Sequence, residues 1–264
     1  MSVKIIVLAV AAALIALGGY LYYDRQQTVV EAPPPAPAPA PPAEEKAAEV
    51  QHPMPDSGSA SEAALPAIDD SDTAMRDAIV SVFGSAADEM LVPDSLVRRI
   101  VATIDGLPRN KLAVRMRPIT PAPGRFVVEA SEVGEDAMVL SADNYARYAP
   151  AVGLVEKADT AQLVATYLRF YPRFQQAYVQ LGYPSGYFND RLVEAIDDML
   201  ATPEAQEPIP LRHPNVLFEY ADADLESRSV GQKLLLRMGP ENAAAIKTKL
   251  REIRNEVTNH APPG

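Results

Sequence analysis

The residues whose types and spacing come nearest to chemistry are four carboxylates, Asp190, Glu194, Asp197 and Asp198. Asp190, Glu194 and Asp198 recur at i, i+4 and i+8, which on a helix gathers three acids on one face. Paired carboxylates can run acid–base hydrolysis of glycosidic bonds. The plainer reading is a structural one. Asp190 stands in a first turn, where the helix dipole favours an anion, and the others make a solvated or salt-bridged face. Other constellations fail on spacing. His52, His213 and His260 are too scattered for a zinc-protease helix. There is no Gly-x-Ser-x-Gly elbow and no Gly-rich loop to cradle a phosphate. The absence of Cys excludes thiol catalysis, disulfides and a lipid-modified N-terminal Cys. No catalytic, cofactor-binding or metal-ligating residue is assigned, and no cofactor is expected.

A second anomaly is one of charge. The chain carries a formal net charge of −11, which argues against a general nucleic-acid partner. Yet Arg98, Arg99, Arg109, Lys111, Arg115, Arg117 and Arg125 are opposed locally only by Asp105. Such a run can bind an anionic polymer or headgroup, or pair with the protein's own acidic helix. Internal pairing is the favoured reading, and it predicts that at least one of Arg98, Arg99, Arg109, Arg115 and Arg117 contacts the helix bearing Asp190, Glu194 and Asp198. These eight residues, with Tyr183 and Tyr187 from the preceding turn, are the candidate interaction residues.

The elements that must position them are legible as periodic stripes. Leu163, Tyr167, Phe170, Tyr171, Phe174, Tyr178 and Leu181 recur at steps of three and four, opened by an Asp159–Gln162 capping pattern. After the turn Gly182–Gly186, Phe188, Leu192, Ile196, Met199 and Leu200 repeat the pattern. The two runs predict a helical hairpin over 159–202 whose stripes bury against each other, with a kink at Pro172. Around it, an Asp70–Asp72 cap introduces a helix ending at Gly84, and Pro93 suits the first position of another, whose stripe runs from Leu96 to Ile104. Asn144–Pro150 starts a brief helix or turn. Arg125–Glu129 and Ala137–Leu140 predict an antiparallel pair, with 216–220 available as a third strand. Ser229 caps a short helix, Gly239 stops it, and Pro240 opens the last helix at its first position. Ile246, Leu250, Ile253 and Val257 form that helix's stripe, with Lys247, Lys249, Arg251 and Arg254 around it. The fold class is therefore mainly α with a small antiparallel β element.

The first quarter of the chain is of a different kind. Ile5–Tyr23 is an uncharged apolar run that would span roughly 30 Å as a helix, with Tyr20, Tyr22 and Tyr23 at its outer end. It reads as an uncleaved anchor. Cleavage after a signal peptide at Ala16–Gly18 is the alternative, and either one exports the rest of the chain. Residues 24–64, with seven prolines between Pro33 and Pro42, read as a disordered Pro/Ala-rich linker. A ligand for a Pro-binding module is the competing reading. The expected layout is a transmembrane anchor at 1–23, the linker at 24–64, a globular domain at 65–258 and a disordered tail at 259–264.

Four stretches carry a resemblance: DGLPR at Asp105–Arg109, NYARY at Asn144–Tyr148, LGYP with FNDRLVEAIDDMLATP, and QKLLLRMGPEN at Gln232–Asn242. With these the chain resembles a bacterial family classed as a domain of unknown function, number 3014 in that series. Members are similar in having an N-terminal membrane segment, a Pro/Ala-rich linker and a domain like that over Ile68–Val257. The resemblance implies no activity and no catalytic residue. The expectation is a single-pass protein of the bacterial inner membrane with its C-terminal domain in the periplasm. That domain is read as a non-enzymatic interaction or structural module contacting an envelope protein or an anionic polymer. The alternative is a cell-wall or glycan-active hydrolase using the acidic helix 190–198.

Overall fold

The computed structural model describes residues 49–54, 65–131, 138–214 and 217–259. The anchor Ile5–Tyr23, most of the linker, Val216 and the tail from residue 260 lie outside the described residues. Among those described, no helix is long and apolar enough to cross a membrane.

The described chain folds into ten α-helices and one small sheet. A 3₁₀ turn at Ile68–Asp70 leads into α1 (Asp72–Phe83), followed by α2 (Ser85–Asp88) and α3 (Leu96–Gly106). A second 3₁₀ turn, Val114–Met116, precedes β1 (Val128–Ala130) and β2 (Met138–Leu140). Then come α4 (Asp143–Ala146), α5 (Ala149–Lys157), the long α6 (Thr160–Gln180) and α7 (Phe188–Leu200). β3 (Pro210–Arg212), β4 (Glu219–Tyr220), α8 (Ala223–Glu226), α9 (Val230–Met238) and α10 (Pro240–Thr258) complete the domain.

The caps form where local chemistry provides them. Asp159 accepts from the Gln162 amide at 2.9 Å, and Ser229 Oγ accepts from the Gln232 amide at 3.1 Å. Each satisfies one of the donors that a helix start leaves open. Gly239 takes φ +83° between α9 and α10, a conformation that suits glycine. Asp72 departs from expectation. It does not cap α1, whose N-cap Ser71 makes no side-chain cap bond. Its carboxylate instead accepts from the amides of Ser95 and Leu96, both at 2.7 Å, and so caps α3. That leaves α3 starting at Leu96 rather than at Pro93.

The aromatic face of α6 is the centre of the main core, as its size dictates. Tyr167 lies 5.6 Å from Phe174 and 6.4 Å from Phe188, ring centre to ring centre, and all three are buried. α6 runs through Pro172 as one helix. Two expectations for the hairpin change. Leu181 is 41% exposed, because α6 ends at Gln180 and the stripe ends with it. The stripes of α6 and α7 also bury less against each other than against third parties. α6 packs mainly on α3 and α10, and α7 on α10, α9 and α3. The C-terminal α10 thus ties α5, α6, α7 and α9 together. Lys249, one of the cations around the stripe of α10, is buried, with Nζ donating to the Ala158 carbonyl and to Thr160 Oγ1, each at 3.0 Å.

The sheet is antiparallel throughout, in the order β1-β2-β3-β4, with Val128 opposite Leu140, Met138 opposite Leu211, and Leu211 opposite Tyr220. The 216–220 run therefore does supply a strand, but β3 lies between it and the first pair. Leu140, Ile209, Leu211, Tyr220 and Leu236 form a second, smaller core that joins the sheet to α9.

Candidate functional site

Of the candidate residues, Arg109, Tyr183 and Glu194 meet at the shoulder between α3, the turn 181–187 and α7. Asp105, in the last turn of α3, is 7% exposed. It accepts from Arg109 Nη2 at 2.9 Å and from Arg191 Nε at 3.0 Å. Arg191 also donates to the Asp105 backbone carbonyl and pairs with Glu194 at 2.6 Å. Arg109 donates onward to the Tyr183 hydroxyl at 2.6 Å. Tyr183 stacks on Tyr178 with ring centres 4.6 Å apart, and the adjoining Gly186 fits because a Cβ there would meet the Tyr178 ring and the Tyr183 side chain at under 3 Å.

One buried carboxylate thus serves two guanidinium groups. The hydrogen bond that Arg109 donates to Asp105 is the main reason that its guanidinium is held above the usual arginine range. Burial, with the Asp105 charge second, pushes the Tyr178 hydroxyl up to about 12. An anion held between two permanent cations is well suited to fixing three elements.

The predicted pairing of a basic-stretch arginine with the acids of the helix is replaced by a different contact between the same two segments. The helix supplies the arginine, Arg191, and the basic stretch supplies its one acid, Asp105. The stripe acids take other partners. Asp190 accepts from the Gln51 and His52 amides at 3.0 and 2.7 Å. Glu194, whose side chain is 61% exposed, pairs with Arg191. Asp198 accepts from Ser229 Oγ at 2.5 Å and from Gln232 Nε2 at 3.1 Å. Burial pushes the Asp198 carboxyl above its usual range, against the opposing Ser229 hydrogen bond. The arginines pair with acids near them: Arg98 with Asp69 at 2.7 Å, and Arg99 with Asp94 at 3.0 Å. Arg99 also donates to the carbonyls of Arg115 and Arg117, the first a short contact. The Arg115 side chain lies in an exposed position, and Tyr187 receives the Met54 amide at 2.6 Å.

The four stretches noted in the sequence take part in the packing. Asn144 clamps Val127, accepting from its amide at 3.0 Å and donating to its carbonyl at 2.7 Å. The Leu107 and Arg109 carbonyls receive the first amides of α9, from Gly231 at 2.9 Å and Val230 at 2.8 Å. Gln232 reaches Asp198, Lys233 pairs with Glu226 at 2.8 Å, and the Arg237 guanidinium lies 5.4 Å from the centre of the Tyr220 ring. Asn242 donates to the carbonyls of Tyr145 and Met238 at 3.0 and 2.8 Å. An apolar cavity of about 10 Å³ lies under α3 and α7, between Ile104, Leu107, Leu192, Ile196 and Met199. It is at the lower limit for one water molecule, and no stripe acid lines it. Among the described residues no three His, Cys, Asp or Glu side chains are grouped to hold a metal ion.

The fold is thus a helical domain whose polar shoulder cross-braces its elements. The profile of the family described as "Protein of unknown function (DUF3014)" matches residues 96–254, and the chain belongs to that family. No curated protein and no solved structure matches the chain.

Proposed function

We propose that this chain is a non-enzymatic interaction module of the bacterial envelope, tethered to the inner membrane by Ile5–Tyr23 and displayed in the periplasm on its Pro/Ala-rich linker. The observation that carries this reading is the engagement of the acidic helix: Asp190, Glu194 and Asp198 each have a different internal partner. A glycosidase needs two carboxyl groups facing one substrate bond, and a carboxylate spent on a cap or a salt bridge is not free for that role. The surface offered to a partner is the end of α6 and the turn after it. There Val179 and Leu181 are 40% and 41% exposed beside Pro184 and the Tyr183–Arg109 pair. Exposed apolar side chains edged by Tyr and Arg are the composition from which interface hot spots are built.

The test is photo-crosslinking in intact cells, with the reactive side chain placed at Val179, Leu181 or Pro184 of the full chain. A discrete adduct to one envelope protein or glycan polymer at these positions, absent at the exposed Glu256, is expected. No adduct at any of the three, together with loss of glycan cleavage in Glu194→Gln or Asp198→Asn, would overturn the module in favour of the hydrolase.

A further inference from the structure

Residues 49–54 belong by composition to the linker, yet they lie against the domain. Their hydrogen bonds run through the backbone. Asp190 Oδ2 accepts from the Gln51 amide at 3.0 Å and Oδ1 from the His52 amide at 2.7 Å. Asn189 Nδ2 donates to the His52 carbonyl at 2.9 Å, and the Tyr187 hydroxyl accepts from the Met54 amide at 2.6 Å. The receiving side is rigid. Asn189 is buried, accepts from the Tyr167 hydroxyl at 3.0 Å, and uses its other amide hydrogen on the Val257 carbonyl of α10 at 3.3 Å. The Tyr187 ring centre is 5.7 Å from that of Tyr171. Of the strap's side chains, Met54 packs on the main core, while Gln51 is exposed.

We infer that residues 49–54 form a reversible latch, held by Tyr187, Asn189 and Asp190, that moves the linker's point of departure from Leu65 to Glu49 beside the start of α7. Two features make it a latch rather than a fixed part of the core. Ordering six residues costs backbone entropy at every one, and only four hydrogen bonds, partly at a wet surface, and one apolar side chain offset it. Recognition also falls on amides and a carbonyl, so it depends on the strap's backbone more than on its side chains. Release adds residues 49–64 to the linker, about 50 Å of further reach at about 3.1 Å per extended residue. The gain in reach from a membrane rests on the tethered reading above. The latch itself does not.

Hydrogen exchange on the detergent-solubilised full chain tests the latch without reference to the membrane. The amides of Gln51, His52 and Met54 are expected to exchange at least about tenfold more slowly than in a free peptide of residues 49–54. Asp190→Ala, which removes the acceptor, and His52→Pro, which removes a donor, should each abolish that protection. Gln51→Ala should leave it, and amides within α7 and α10 should stay protected in every variant. Free-peptide exchange rates in the unaltered chain, or protection that survives both Asp190→Ala and His52→Pro, would overturn the latch. A mature chain beginning near Gly19 would refute the anchor and leave these rates unchanged.

Discussion

Replacing Asp105 with Asn keeps the side chain's shape and removes its charge, which isolates what the shared anion does at the shoulder. Arg191 bears most of the loss, because its side chain is only 12% exposed and its Nε bond to Asp105 is 3.0 Å long. A charge-assisted hydrogen bond in that setting contributes about 1.5–3 kcal/mol. Arg109 is about half exposed, so its pair adds at most about 0.5–1 kcal/mol after screening. The Tyr183 contact at 3.4 Å is too long to count. Arg191 keeps Glu194 and the Asp105 carbonyl, which return part of the loss. The net expectation is about 2–3 kcal/mol, or about 4–12 °C in Tm at about 2–4 °C per kcal/mol for a domain of this size. Thermal unfolding followed by circular dichroism reads this directly. Arg191→Met should cost a similar amount, and the double variant much less than the sum, with a coupling of about 1–2 kcal/mol. A shift below about 1 °C for Asp105→Asn, or single effects that simply add, would refute the brace.

Gly239→Val should cost about 2 kcal/mol or more. Beyond the strain at φ +83°, a Cβ there would lie 2.5 Å from the Tyr145 ring, and chemical denaturation should show the loss as a lower midpoint at unchanged slope. Glu252 is held below the usual carboxylate range first by Lys249 and then by Thr160. Its stabilisation is complete above about pH 4.3, the unfolded value, and is lost as pH falls through the lower folded value, so Glu252→Gln should flatten the acid limb of stability against pH. Asp198 carries the opposite sign. Burial raises its folded pKa, so its contribution is favourable below about pH 3.9 and is lost as pH rises through the folded value. The stability difference between the unaltered chain and Asp198→Asn should therefore shift toward the variant on going from strongly acid to neutral pH.

What could be read from the sequence was whatever the chain writes locally. The stripes of α3, α6, α7 and α10, the caps at Asp159 and Ser229, and the stop-and-start at Gly239–Pro240 all rest on residues within a few positions of each other. β3 left no signal, because three residues beginning with Pro210 are too short a run to show a period of two. The brief helix or turn read at Asn144–Pro150 covers most of α4 and only the first two residues of α5. Asp105–Arg191 spans 86 positions, so only the isolation of Asp105 in a basic run marked it out. The strap was hidden for a different reason: its bonds are made by backbone groups that every residue but proline carries. A polar, low-complexity segment gives no side-chain pattern from which such docking could be inferred.

The carboxylate of Asp72 at the start of α3 bears on how this domain can be cut. The family match begins at Leu96, the residue whose amide Asp72 receives. A fragment excised at that boundary would begin with an uncapped helix, and would lose Leu65, Ile68, Met75 and Ile79 from the main core. At the other end, stopping at Arg254 would discard Val257, which is buried and whose carbonyl receives Asn189. The segment that the family profile matches and the segment that contributes to the main core are different lengths of chain. Any recombinant piece meant to retain the shoulder needs to reach from Leu65 to about Thr258, with Glu49–Met54 added if the strap is to be studied.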